Sequence, residues 1–254
     1  MPPCHGDCRM DALLVTLLSA SCAFVHPGQS EAAGSYLYEP AYCLDTELRG
    51  EPRPYAPQPG DIMVYTDGNV FWNITHDLAL AGEPHGSGIV VRRPDGRLGI
   101  LEAGPNDTLR VRILDVLPHL HEYEIKGPVW IRKRKAPLTP DQSAALTDFA
   151  VRQDGKRFAL GRLGLQLTPF RTRGPLRTWF VGKPKGDRCS YFCSELVTEA
   201  AVAGGLIDAE TARPSATYPH ELFHDSSYNL YLNRHFSLAR CWEPPARWMS
   251  CPPK

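Results

Sequence analysis

The chain has 254 residues, of which 43% are hydrophobic, enough for one substantial core and a small appendage. Its 28 basic and 28 acidic side chains cancel, which argues against a nucleic-acid-binding protein. With 24 prolines and 21 glycines and no repeat or heptad pattern, the chain is expected to form many loops and short elements, and repeat and coiled-coil architectures are excluded.

Residues 1–35 are predicted to be a signal or lipoprotein leader followed by a linker. An apolar run from residue 12 to 25 follows Arg9; it is too short for a bilayer span but fits the apolar region of a signal peptide. Small residues precede Cys22 as in a bacterial lipoprotein signal, although Ser19 replaces the usual aliphatic residue. We therefore expect export to the periplasm or cell envelope; a lipoprotein attached to the membrane through a lipid on Cys22 is one form of this prediction, and an exported protein without the lipid is the other. Met10 is a second candidate for the start of translation. The alternative to a leader is a disordered segment or a wrongly assigned start of the chain, and in the latter case a cytoplasmic protein.

The part from residue 59 onward is predicted to be a meander of about five strands, mostly antiparallel, followed by helices. The strand patterns fall at 60–65, 87–93, 98–103, 109–113 and 129–132. A Pro-Asp-Gly turn at 94–96 joins the second and third strands as a hairpin. Thr139 and Pro140 start a helix that ends at Gly155. Residues 161–188 are predicted to be an irregular loop over a site, and 208–254 a short helix with a proline-punctuated wrap.

Cys193 is the strongest candidate for a reactive residue. It opens an apolar-periodic stretch that predicts a helix to about Gly205. A cysteine in the first turn faces unpaired N–H groups and the positive end of the helix dipole, and both lower the pKa of a thiol. A buried or disulfide-bonded cysteine is the alternative interpretation.

A thiol nucleophile needs a base and a third polar group that orients the base. His85 precedes the second predicted strand, and Glu102 is an acidic residue within the otherwise apolar third strand. Adjacent antiparallel strands can bring these two side chains together, so we predict a site of Cys193, His85 and Glu102. A loop histidine and an exposed edge glutamate are the alternatives.

Four short motifs resemble the circularly permuted papain-like amidases of the YiiX/YebB-like group, which are related to NlpC-type cell-wall peptidases. They are Gly-Asp-Ile at 60–62, His-x-x-Gly-Ile at 85–89, Leu-Glu-Ala at 101–103 and Tyr-Phe-Cys-Ser-Glu-Leu-Val at 191–197. The resemblance covers about residues 58–207. It implies Cys193 as nucleophile, a histidine base before Gly88, Glu102 as the orienting residue, and Tyr191 and Ser194 near the substrate and its oxyanion.

The histidine position departs from the family pattern. The family has His-x-Gly-Ile, which would place the histidine where this chain has Gly86, one residue after His85. Because strand side chains alternate, a shift of one residue reverses the face, and a bulge at Gly86 would be needed to aim His85 at the thiol. A weakened or inactive protein, or a different base such as His76, is the alternative.

Other cysteine and histidine patterns point to weaker hypotheses. If Cys22 carries a lipid and Cys193 is free, four cysteines remain for two disulfides, including a clip between Cys241 and Cys251. The sequence His-Glu-x-x-His at 220–224 matches a zinc motif, with His220 and His224 as ligands and Glu221 as base. Prolines at 214 and 219 argue against the long helix that this motif needs. The pair His119 and His121 is predicted to lie in a solvated loop.

The sequence therefore predicts an α+β protein with a circularly permuted papain-like (NlpC-type) fold, in which an antiparallel sheet packs against the helix that carries Cys193. Residues 36–254 are expected to form one hydrolase domain, with a C-terminal wrap from 208. The expected activity is cleavage of an amide or ester through a thiol acyl-enzyme, on a peptide, peptidoglycan-fragment or acyl substrate, without a cofactor and without nucleic acid. A catalytically silent binding module and a zinc peptidase are the alternatives.

Overall fold

The fold is built on one antiparallel sheet in an α+β arrangement. The computed structural model describes residues 34–39, 50–68, 74, 81–168, 170–227 and 238–250. Within these residues eight strands pair in the order β2-β1-β10-β7-β3-β4-β5-β6. They are β1 (Tyr36–Tyr38), β2 (Arg53–Pro54), β3 (Ile62–Tyr65), β4 (Gly86–Arg92), β5 (Leu98–Ala103), β6 (Val111–Asp115), β7 (Val129–Arg132) and β10 (Ala246–Met249). The predicted leader with Cys22, and also His76, Cys43 and Cys251, lie outside the described residues.

Beside the main sheet, the described part of the chain has two short strands, six α-helices and two 3-10 helices, at Pro105–Asp107 and Pro214–Ala216. The strands β8 (Arg157–Phe158) and β9 (Ser190–Tyr191) pair in parallel beside the main sheet. The helices are α1 (Val116–Lys126), α2 (Pro140–Gln153), α3 (Leu160–Leu165), α4 (Pro175–Val181), α5 (Cys193–Ala203) and α6 (Pro219–His224). None of these helices has the length and apolar character required to cross a membrane.

Alternation along the strands divides the core between the two faces of the sheet. Ile62, Ile89 and Leu101 point to one face, where they join a cluster with residues of α2 and α5. Tyr65 and Ile100 point to the opposite face and cluster with residues of α1. The sheet is therefore covered on both sides, and α5 crosses β4 and β5 on the first face.

The predicted hairpin and the helix after the sheet are confirmed. β4 pairs with β5 from Gly88 opposite Glu102 to Arg92 opposite Leu98. At α2 the Thr139 hydroxyl accepts the Gln142 N–H at 3.2 Å, and the Gln142 side chain accepts the Thr139 N–H at 3.1 Å. This reciprocal pair satisfies two donors that a helix start otherwise leaves without partners, which explains why the helix begins there.

Three predicted regions differ from the structure. Residues 116–126, which include His119 and His121, form helix α1 and not a loop; Pro118 is tolerated because a first-turn N–H has no intrahelical partner. The predicted C-terminal wrap contributes β10, which inserts between β1 and β7. With β1 and β2, which precede the predicted meander, the sheet has eight strands where about five were expected. The predicted irregular loop 161–188 contains α4 and nearly all of α3.

Asp61 joins the start of β3 to the end of β7. Its fully buried carboxylate accepts the Arg134 N–H at 2.7 Å, the Tyr55 O–H at 2.9 Å and the Gln58 N–H at 3.1 Å. Burial raises the pKa of Asp61 to about 6, although these three hydrogen bonds oppose the shift. The Gly-Asp motif before the strand therefore has a structural role.

We predict that the charge on Asp61 makes stability fall as pH rises. Because the folded state holds the proton more tightly than the unfolded chain, whose aspartate pKa is about 3.9, the free energy of unfolding decreases between these two pKa values. Denaturant titrations of the wild type and Asp61→Asn should show the wild type losing about 3 kcal/mol relative to the variant between about pH 4 and about pH 7. A stability difference that stays constant over this range would contradict the raised pKa.

Candidate active site around Cys193

Cys193 is the first residue of α5, as the sequence predicts, and it faces a pocket. Phe192 before it is extended, with φ −103° and ψ 166°, so the chain turns from β9 directly into the helix. The thiol Sγ lies 3.8 Å from the backbone carbonyl oxygen of His85. The side chain is half-buried and is present as a free thiol.

The pocket has a volume of about 360 Å³ and a largely apolar wall that includes four phenylalanine and tyrosine rings. Cys193, His85 and Gly86 line it together with Tyr65, Tyr123 and Phe192. Two of the three predicted site residues, Cys193 and His85, therefore share one cavity. Its size and largely apolar wall suit an acyl or small peptide group.

The thiol is not activated in this structure, contrary to the expectation from its helix position. Burial raises the pKa of Cys193 to about 11, and the negative charge of Glu102 raises it further. Hydrogen bonds from the Ser194 N–H and from Ser87 act in the opposite direction but do not compensate. Desolvation outweighs the helix terminus, so the side chain is a neutral thiol at neutral pH.

Glu102 is fully buried on the sheet face that packs against α1. Its Oε1 accepts the Tyr65 O–H at 2.6 Å and the Tyr123 O–H at 3.0 Å, and its Oε2 lies 2.7 Å from His119 Nε2. Burial and the Glu102 charge raise the pKa of both tyrosines, so they remain protonated donors. The carboxylate is thus fixed by three donors that the sequence interpretation did not assign to it.

His85 lies at a bulge at the start of β4. Tyr65 pairs with Gly86 in the strand register, and its carbonyl also accepts the His85 N–H at 3.0 Å. Two consecutive residues thus oppose Tyr65, which is the arrangement of a β-bulge and changes the direction of the side chain before the strand. His85 is buried and forms part of the pocket wall.

Gly86, at the position where the family pattern has histidine, is filled by a neighbouring ring. A Cβ atom added to Gly86 would lie 2.0 Å from Cζ of Tyr65 and 2.4 Å from its hydroxyl oxygen. The Tyr65 phenol therefore occupies the space of a side chain at position 86 and reaches Glu102 from there. Glycine and tyrosine at these two positions are sterically complementary.

His119 and Tyr123 are the residues that sequence analysis missed. His119 was predicted to be solvated, but it is buried on α1 and contacts Glu102; His121, two residues later, is about half exposed. The spacing of four residues between His119 and Tyr123 was a usable signal, because such residues share one face of a helix. Their rings are 4.6 Å apart, edge to face, beneath β5.

Tyr191 and Ser194 do not have the roles that the resemblance implies for their side chains. The Tyr191 hydroxyl donates to the Gly186 carbonyl at 2.8 Å and accepts the Arg188 N–H at 2.9 Å. The Ser194 hydroxyl donates to the Thr217 carbonyl at 2.6 Å. Tyr191 thus supports the 186–188 turn, and Ser194 contributes to the site through its backbone N–H.

The His-Glu-x-x-His segment forms the six-residue helix α6, in which Glu221 has a structural role. Its buried carboxylate accepts the Tyr218 N–H at 2.7 Å and pairs with Arg173. The rings of His220 and His224 are 4.3 Å apart, and burial, with His220 nearby, lowers the pKa of His224 to about 4. Among the residues that the structure describes, no three histidine, cysteine, aspartate or glutamate side chains converge as a metal site.

Comparisons with known proteins give structural similarity but no sequence match. No protein-family model and no curated protein sequence matches the chain. The crystal structure of the metalloprotein YiiX from Escherichia coli O157:H7 aligns with 63% of this chain and 69% of its own, at 18% sequence identity and a TM-score of 0.40. Similarity at this level assigns no role to any residue of this chain.

We predict that Cys193 in the free protein is alkylated slowly at neutral pH and that Glu102→Gln accelerates the reaction. Removing the negative charge should lower the thiol pKa from about 11. The measurement is the pH dependence of iodoacetamide labelling, with labelled peptides located by mass spectrometry. Exposed Cys189 serves as an internal reference, and Glu210→Gln, which removes an exposed charge elsewhere, is the control.

Fast labelling of wild-type Cys193 below about pH 7 would contradict the raised pKa. Equal acceleration by Glu102→Gln and Glu210→Gln would show that the Glu102 charge has no specific effect on the thiol.

We also predict that Gly86 and Tyr65 are energetically coupled. Gly86→Ala should cost about 1–3 kcal/mol because its methyl group overlaps the Tyr65 ring, and much of this cost should disappear in a Tyr65→Ala background. A double-mutant cycle by denaturant unfolding measures the coupling. Gly161→Ala, where an added Cβ meets nothing within 4 Å, is the matched control. Additive effects of the two substitutions would refute the packing argument.

Proposed function

We propose that this protein is a cysteine hydrolase of permuted papain-like architecture that cleaves an amide or ester through a thioester on Cys193. One observation carries the proposal: the Cys193 thiol, at the first residue of α5, opens into a pocket whose wall also contains His85. A strand that bears a histidine and precedes the helix that bears the cysteine is the chain order that the permuted family has. The antiparallel sheet beneath α5 agrees with that architecture.

A neutral thiol calls for general-base catalysis and not for a preformed thiolate–imidazolium pair. In the proposed reaction His85 accepts the thiol proton as Sγ attacks the substrate carbonyl carbon. The tetrahedral intermediate collapses, the amine or alcohol leaves with the proton from His85, and water then cleaves the thioester. First-turn N–H groups of α5 have no intrahelical partner and supply donors for the oxyanion.

Glu102 contributes to this reaction through the electrostatic effect of its negative charge. Its negative charge raises the pKa of the Cys193 thiol and so disfavours an isolated thiolate. The same charge favours a positive charge next to the thiol, which is what the imidazole becomes once it has accepted the proton. Glu102 thus acts electrostatically in this proposal, held in place by Tyr65, Tyr123 and His119.

The pocket supports an acyl or peptide group as the part of the substrate that binds. Tyr65, Tyr123 and Phe192 provide apolar surface, and Lys126 and Asp67 add one charge of each sign. A cell-envelope peptide or acyl ester is consistent with this wall, and location in the envelope remains a prediction from the leader.

A second candidate is a binding module of the same fold without catalysis. Two observations favour it. The pKa of the Cys193 thiol is about 11, and the Tyr65 ring fills the space at Gly86, where the family has its histidine. This candidate predicts a pocket that binds acyl or peptide ligands while Cys193 stays unmodified.

The test is to trap the acyl-enzyme. We expect p-nitrophenyl acetate to acetylate Cys193, as seen by intact mass and peptide mapping, and Cys193→Ala to abolish both the adduct and turnover. His85→Gln should slow acylation about 100-fold or more, the usual contribution of a general base. Cys189→Ala and His121→Gln, which change a second thiol and an exposed imidazole, are the matched controls and should leave the rate unchanged.

An adduct that persists on another residue in Cys193→Ala, or turnover close to that of the wild type, would exclude the proposed nucleophile. Ligand binding in the pocket without any adduct would favour the binding module.

A further inference from the structure

The segment from Leu160 to Arg188 presents an apolar surface to solvent beside the pocket. Within this segment the most exposed large apolar side chains are Phe180, at 75% of its accessible surface, and Phe170, at 67%. These exposed apolar side chains fall within 22 consecutive residues, and we call them together the 160–181 face; they are Leu160, Leu165, Leu167, Phe170, Trp179, Phe180 and Val181. Exposed aromatic and aliphatic side chains that cluster in one short segment mark an interaction surface more often than scattered ones do.

Buried ion pairs hold this segment against α5. Arg162 on α3 makes two hydrogen bonds to the buried Glu195 carboxylate, at 2.6 and 2.8 Å. Arg188 donates to Glu199 at 3.0 Å, and Glu199 also accepts the Lys185 N–H at 2.9 Å. The apolar side chains are therefore carried by a fixed support, with its polar anchors turned inward.

The same segment concentrates positive charge in a chain whose formal net charge is zero. Residues 160–188 contain seven basic side chains and one acidic side chain. Three of the basic side chains pair with buried glutamates, and Asp187 pairs with Lys156. Arg177, Lys183 and Lys185 are exposed and Arg171 is half-buried, so cationic groups alternate along the segment with the exposed apolar side chains.

We propose that the 160–181 face binds the surface of an anionic lipid bilayer. Aromatic and leucine side chains with flanking lysines and arginines are the composition of segments that lie in a membrane interface. A second copy of the chain would bring two cationic rims together, which disfavours a symmetric dimer through this face. A nucleic acid would use the charges but not the leucines at 160, 165 and 167.

The face adjoins the mouth of the pocket. Leu163 of α3 lines the pocket, while Leu160 and Leu165 at the ends of the same short helix are exposed. Attachment through this face would place the pocket entrance near the acyl chains and headgroups of the bilayer. The binding proposal goes beyond the proposed hydrolase and does not depend on Cys193 chemistry.

The test is co-sedimentation of the full chain with vesicles, in a Cys22→Ser background so that no lipid on that residue can contribute. We expect binding to vesicles of phosphatidylglycerol and phosphatidylcholine, weaker binding at high ionic strength, and little binding to phosphatidylcholine alone. Phe170→Ser with Phe180→Ser should weaken binding about tenfold or more, because the two rings contribute apolar burial in the interface. Ile125→Ser, which removes an apolar side chain that is 88% exposed on α1, is the matched control.

Charge variants test the cationic rim separately. Arg177→Gln with Lys183→Gln should weaken binding about 30-fold, at roughly 1 kcal/mol for each basic residue near an anionic surface. Arg112→Gln with Arg152→Gln removes two exposed arginines elsewhere and should leave binding unchanged. Cys193→Ala should bind like the parent, so failure of the hydrolase and failure of the membrane surface give different results.

Three results would overturn the proposal. They are no binding to anionic vesicles, an equal loss of binding in the paired phenylalanine variant and in Ile125→Ser, and lipid-free self-association that the phenylalanine substitutions abolish while vesicle binding is absent. Circular dichroism and thermal unfolding of each variant confirm that a loss of binding does not come from unfolding.

Discussion

The site depends on one buried charge. The Glu102 carboxylate is fully buried, and a charge in that position is tolerated only if its oxygens have partners. Tyr65 from β3 and His119 and Tyr123 from α1 supply these partners. The requirement to satisfy Glu102 therefore joins the sheet to α1 and fixes the Tyr65 ring over Gly86.

Burial, with the same charge as a smaller contribution, keeps the Cys193 thiol protonated. A helix N-terminus favours a thiolate, but here burial and the Glu102 field together raise the thiol pKa to about 11. A protonated thiol of this kind reacts slowly with electrophiles in solution. It reacts with a substrate only when the substrate is bound in the pocket and a base there removes the thiol proton. Low intrinsic reactivity and proposed catalysis are compatible, because proton removal and attack occur in one step.

Short sequence patterns predicted those helices and strands that are determined by neighbouring residues in the chain. The hairpin of β4 and β5 follows from its turn residues, and α2 follows from Thr139 and Pro140. The position of Cys193 at the start of α5 was also predictable, from the helical spacing of the apolar residues that follow it. By contrast, α1 was missed although His119 and Tyr123 have helical spacing, and β10 was missed because its partners β1 and β7 are distant in sequence.

The candidate site shows the same division. The sharing of one pocket by Cys193 and His85 agrees with the sequence prediction, and the motif residue Asp61 proved to be structural. No local pattern could show that the Tyr65 ring takes the space at Gly86, because this depends on the register between β3 and β4. Nor could the pattern predict that desolvation would dominate the thiol pKa, since the number of atoms around Sγ is set by tertiary packing.

Helix α5 connects the two surfaces to which we assign roles. Its first residue, Cys193, faces the pocket. Two and six residues later, Glu195 and Glu199 bind Arg162 and Arg188 of the segment that carries the exposed apolar face. Both glutamates are buried, so each ion pair can persist only while the segment stays in place. A displacement of the segment at a membrane would have to break these pairs or move α5 with it, and moving α5 would move the thiol. The 160–181 face, which we propose binds lipid, and the pocket, which contains the proposed nucleophile, are therefore mechanically connected through a single helix.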